Sequence, residues 1–67
     1  MTFLDLSPTD LHRTFIAAKA HGGGFIQALA QAWLVADPQN RRRIEGAFPE
    51  LVDRFGPDSS FFHKQIP

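Results

Sequence analysis

The sequence predicts an all-α domain: a bundle of three helices over residues 8–20, 25–36 and 38–47, a short fourth over 49–55, and an irregular tail over 58–67. Three observations carry that prediction. Apolar residues recur at helical spacing, Pro8, Pro38 and Pro49 stand where helices start, and no apolar–polar alternation is long enough for a strand. The 67 residues leave room for a single domain with one small core, near the size at which a core becomes marginal. With no cysteine, neither a disulfide nor a thiolate metal site can reinforce it, so 7 phenylalanines and 1 tryptophan must supply most of the stabilisation.

Taken in order, Phe3, Leu4 and Leu6 form an apolar lead-in broken by Asp5. Ser7-Pro8-Thr9-Asp10 is a helix start: Ser7 can accept from the Asp10 backbone N–H, Pro8 suits the first helical position, and Asp10 can reach back as in a capping box. Leu6 and Leu11 then make a hydrophobic staple. Leu11, Phe15 and Ala18 fall on one face of the first helix, with Ile16 and Ala20 beside them. His21-Gly22-Gly23-Gly24 ends it, and the expectation is that at least one of these glycines takes a positive φ to reverse the chain.

The stretch 25–36 has no charge, proline or glycine. It reads as the central helix, with Phe25, Ile26, Leu29 and Trp33 on the buried arc and Ala32 and Ala36 extending it. Asp37-Pro38 caps and opens a third helix whose core-facing residues are Ile44, Ala47 and then Phe48. Pro49 opens the fourth, where Leu51, Val52 and Phe55 share a face and Gly56-Pro57 terminates it.

Composition narrows function by exclusion. The 7 basic and 7 acidic residues balance, which argues against a general binder of nucleic acid or anionic membrane. Met1 to Asp5 lacks the basic start of a signal peptide, and 25–36 is too short to span a bilayer, so the chain reads as cytoplasmic. The string His21-Gly22-Gly23-Gly24 matches an oxyanion-hole loop, but without a Gly-x-Ser-x-Gly elbow or a sheet it reads as a helix-ending turn. His12 and His21 would face opposite sides of one helix, and no His-x-x-x-His spacing exists. Asp10, Asp37, Glu50 and Asp53 fit helix starts, where they complement the helix dipole. The expectation is a protein that is not an enzyme and carries no cofactor or metal.

Arg41-Arg42-Arg43 is the one charge run. Its plain reading is a solvated face, with Arg41 and Arg42 both able to pair with Glu45. Arginine is also suited to gripping a carboxylate or phosphate. As a helix-turn-helix, residues 25–47 lack a glycine in the turn. Leu34 and Val35 lie off the Trp33 arc and either pack inward or form a contact surface. Phe61 and Phe62 either fold back as a lid or serve as an anchor for a partner.

Gly23-Gly24-Phe25, Leu29-Ala30, Ala36-Asp37, Asn40, Ala47-Phe48-Pro49 and Phe55-Gly56 together resemble a pattern in small accessory proteins of tailed bacteriophages and prophages. The resemblance implies a class of short proteins that bind and redirect a host protein, defence systems included. It implies the host cytoplasm as the compartment and brings no functional residue with it. The sequence reading is thus a non-catalytic protein-binding module, with Leu34, Arg41, Arg42, Arg43, Phe61 and Phe62 as candidate contact residues. Its alternatives are a small nucleic-acid binder using the three arginines and a self-assembling structural protein, with a homo-oligomer as one form of partner.

Overall fold

The structure, a computed structural model, describes residues 2–63 and is helical throughout, with no strand among the described residues. A 3-10 turn at Phe3–Asp5 leads into α1 (Pro8–His21), α2 (Gly24–Val35), α3 (Pro38–Ala47), α4 (Glu50–Phe55) and α5 (Ser60–His63). The predicted helices are all present, with ends moved by a residue or so. The irregular tail is corrected in part: residues 60–63 form the short α5, while 64–67 lie outside the described residues. The Cα radius of gyration is 10.5 Å, against about 11 Å for a compact chain of this length.

The starts follow the chemistry of the sequence. Ser7 Oγ accepts from the Asp10 N–H at 3.1 Å, and Pro8 stands at the head of α1. The carboxylate that reaches back belongs to the preceding turn instead: Asp5 Oδ2 accepts from the Thr2 N–H at 2.9 Å and the Thr2 hydroxyl at 3.2 Å. Asp37 stands at the N-cap of α3, but its carboxylate takes the Asn40 side-chain amide at 2.6 Å rather than a backbone N–H.

The centre of the bundle is α1, not α2. Helix α1 packs against α2, α4 and α5, and buries Thr14, Phe15, Ala17 and Ala18 completely, whereas α2 buries only Ala30 and Trp33. Small residues at 17 and 18 let neighbours approach α1 closely on two sides. The buried Thr14 hydroxyl is satisfied by donating to the Asp10 carbonyl at 2.8 Å. Phe3, Phe15 and Trp33 stack in series, at 5.4 Å and then 4.1 Å between centroids, with planes within 13° and 6° of parallel. Leu51, Val52 and Phe55 of α4 complete the core.

The buried arc of α2 is rotated from the predicted one. Ile26, Leu29, Ala30, Trp33 and Leu34 face inward or sit half-buried, while Phe25 is 65% exposed and Ala32 is exposed. An apolar helix gives little rotational information, because every register hides something hydrophobic; Trp33, the largest ring, settles it by stacking on Phe15. Ala47 is likewise exposed, and α3 has no fully buried residue.

The turn glycines are corrected too. No glycine among the described residues has positive φ. The α1–α2 reversal runs through extended backbone at Gly22 (φ −77°, ψ 165°) and Gly23 (φ −72°, ψ −178°). What Gly22 supplies is space: a Cβ there would stand 2.4 Å from Ile26 Cγ2 and 2.7 Å from the Ala18 carbonyl oxygen.

Candidate functional site

The three arginines have three different surroundings. Arg41 turns back over the end of α2, where Nε donates to the Trp33 carbonyl at 3.0 Å and Nη2 to the Leu34 carbonyl at 2.9 Å. Its guanidinium carbon lies 4.2 Å from the Trp33 ring centroid. Phe15 occupies the same indole at 4.1 Å, so ring and cation take opposite faces. The last carbonyls of a helix lack intrahelical donors and carry partial negative charge, so a cation there is stabilising twice over. Glu45, read as the partner of Arg41 or Arg42, instead accepts from Trp33 Nε1 at 2.8 Å. Arg41 is therefore a structural clamp. Arg42 and Arg43 are exposed, and neither has a partner among the described residues.

The apolar candidates divide in the same way. Leu34 is half-buried and packs on the core cluster, so Leu34→Asp would disturb the fold; Val35 beside it is 73% exposed. Phe62 is 3% exposed and Phe61 packs partly on the core, 5.7 Å from the Phe55 ring and 4.9 Å from the His21 ring. Both phenylalanines follow the fold-back alternative. Ser59 Oγ accepts from the Phe61 N–H at 3.1 Å, and a hydrogen bond of 2.8 Å joins His63 Nε2 to the Pro57 carbonyl, fixing α5 against the turn before it.

Arg42 is the member of the candidate set that borders a cavity. A groove of about 310 Å³ lies between the N-terminal turn and α3, lined by Thr2, Phe3, Leu4, Arg42, Glu45, Gly46 and Pro49. On the turn side Phe3 is nearly buried, and Leu4 is 95% exposed. On the α3 side, Arg42, Glu45, Gly46 and Pro49 follow at i, i+3, i+4 and i+7, one face of the helix and its continuation. Gly46 has nothing within 4 Å of where a Cβ would stand, so the helix leaves open a place that any other residue would begin to fill.

Sequence reasoning missed Thr2, Phe3, Leu4, Gly46 and Pro49. The legible signal was Gly46, a glycine inside a helix where alanine would be favoured. That the N-terminal turn faces it could not be read locally, since it depends on Phe3 stacking on Phe15. No group of three or more His, Asp or Glu side chains among the described residues is arranged to hold a metal ion. Every buried side-chain nitrogen or oxygen among them has a hydrogen-bond partner. No helix among the described residues is long and apolar enough to cross a membrane. Comparison of the chain with protein-family models, with curated proteins and with solved structures found no match.

Proposed function

We propose that this chain is a non-catalytic protein-binding module that takes an apolar side chain of its partner into the groove between the N-terminal turn and α3. The observation that carries the reading is the groove itself: mostly apolar walls, an exposed Leu4 on one rim, and on the other Arg42, which has no partner among the described residues. Interface hot spots combine a buried apolar anchor with a geometrically demanding charge such as arginine. A partner segment with a leucine- or phenylalanine-like side chain followed by a carboxylate fits that pairing, and no cofactor enters. The phage-type resemblance supports a bacterial host protein, defence components included, or a phage protein as the partner, met in the host cytoplasm. The exposed Arg42 and Arg43 on a chain without net charge give less support to nucleic acid.

The test is capture of partners from host lysate on the wild-type chain, Gly46→Leu and Arg42→Glu, with and without nuclease. The expected result is one protein retained by the wild type, resistant to nuclease, and weakened at least tenfold by either variant while circular dichroism stays unchanged. Capture that disappears with nuclease, or falls steeply with salt as counterions are released, would support the nucleic-acid reading instead.

A further inference from the structure

Helix α2 carries no ionisable side chain from Gly24 to Val35, yet it buries only one side. The uncovered side presents Phe25, Ala28, Ala32 and Val35, all exposed, Phe25 at 65% and Val35 at 73%, with the exposed, uncharged amides of Gln27 and Gln31 along one margin. Steps of three, four and three residues put the four apolar residues on one stripe, within an arc of about 80° at 100° per residue. We propose that this stripe is the seat of a second copy of the chain, packed antiparallel on α2 with the two-fold axis beside residue 30.

The stripe specifies its own occupant. An isologous interface must be complementary to itself, and the steps of three, four and three read the same in both directions. Reversed about residue 30, Phe25 meets the partner copy's Val35, and Ala28 meets its Ala32. Each end then holds one large and one medium side chain, so the helices lie level. The alanines between them let the two backbones approach. A parallel pair would put two phenylalanines at one end and two valines at the other, splaying the helices and aligning their dipoles.

Charge points the same way. A charged partner would lose hydration against this face and find no counter-charge, whereas a second copy brings an equally uncharged one. Area sets the extent of contact. The smallest stable interfaces bury about 600 Å² per partner, roughly one seventh of this chain's 4080 Å². Contact confined to one end of α2, which is about 18 Å long, falls well short of that. Overlap must therefore run the length of the helix, with Phe48, whose ring meets Phe25 at 5.7 Å, drawn in at the margin. The proposal is independent of the groove reading.

Sedimentation of the full chain from about 5 µM to 1 mM tests it; association at this area is expected with a Kd on the order of 100 µM or tighter. Phe25→Glu and Ala32→Glu, both at exposed positions, are expected to keep the circular-dichroism spectrum and raise the Kd at least tenfold. A wild type that is monomeric throughout overturns the proposal, and so does a dimer indifferent to both folded variants. Orientation has its own test, since the chain contains no cysteine. Mixed Ala28→Cys and Ala32→Cys chains should form the 28–32 disulfide in preference to 28–28 or 32–32. Preference for the like pairs would overturn the antiparallel arrangement.

Discussion

Arg41 holds Trp33 by two different atoms of the same residue: its guanidinium covers the indole at 4.2 Å, and its Nε binds the Trp33 carbonyl at 3.0 Å. The pair ties the end of α2 to the first turn of α3 across the Ala36-Asp37 link. Lysine has neither the planar fork nor the stacking surface to do both at once. Arg41→Ala is expected to cost about 2–3 kcal/mol and Arg41→Lys about 1–2. Arg42→Ala and Arg43→Ala should stay within about 0.5 kcal/mol of wild type. Urea unfolding of the four variants checks the order, and equal costs at 41 and 42 would show that the clamp contributes nothing.

Trp33 itself anchors both the aromatic series and the Glu45 hydrogen bond. Trp33→Ala should cost roughly 3–5 kcal/mol, enough to leave so small a domain largely unfolded. Trp33→Phe keeps a ring against Phe15 but leaves the Glu45 carboxylate without its donor, at about 1–2 kcal/mol. Thermal melts followed by circular dichroism should rank wild type above Phe and Phe above Ala.

Gly22 and Gly24, the first and last of three consecutive glycines, should respond oppositely to alanine. Gly22→Ala must displace Ile26 or the Ala18 carbonyl, and is expected to destabilise by about 1–3 kcal/mol. Gly24 opens α2 with space around it, so Gly24→Ala should stabilise by about 0.4–1 kcal/mol. Opposite shifts in melting temperature are the signature. Shifts of the same sign would indicate a turn built otherwise.

Acid should loosen the N-terminal turn. The Thr2 backbone N–H and then its hydroxyl donate to Asp5 and hold its carboxyl below the usual aspartate range. A carboxyl whose folded value lies below its unfolded one stabilises above the unfolded value and loses that contribution as pH falls through the folded one. The Phe3 and Leu4 resonances are therefore expected to shift as pH drops below the usual aspartate range. In Asp5→Asn that titration should vanish while the α1 resonances stay in place.

Local chemistry was legible wherever a few adjacent residues decide the structure. Ser7 with Asp10, Pro8, Pro38 and Pro49 marked the helix starts, and the face of α4 through Leu51, Val52 and Phe55 came out as read. What failed required knowing which surfaces meet. Phe25 was placed inside because α2 is apolar almost all round, and only the Trp33–Phe15 stack orients it. Arg41 looked like a solvent-facing charge because its partners are backbone carbonyls, which every sequence has. The groove was hidden for the same reason, since one of its walls comes from a turn some forty residues distant in the chain.

Helix α3 is attached by the Arg41 clamp, the Trp33–Glu45 bond and the half-buried Ile44, without one fully buried side chain of its own. A segment held in this way can open while the α1–α4 core stays shut. Its amides should then exchange with solvent water well ahead of those of α1, as a separate cooperative unit. Because Arg42, Glu45 and Gly46 belong to that unit, the groove exists only while it is closed. A ligand seated there would slow proton exchange along all of α3, including residues it never touches.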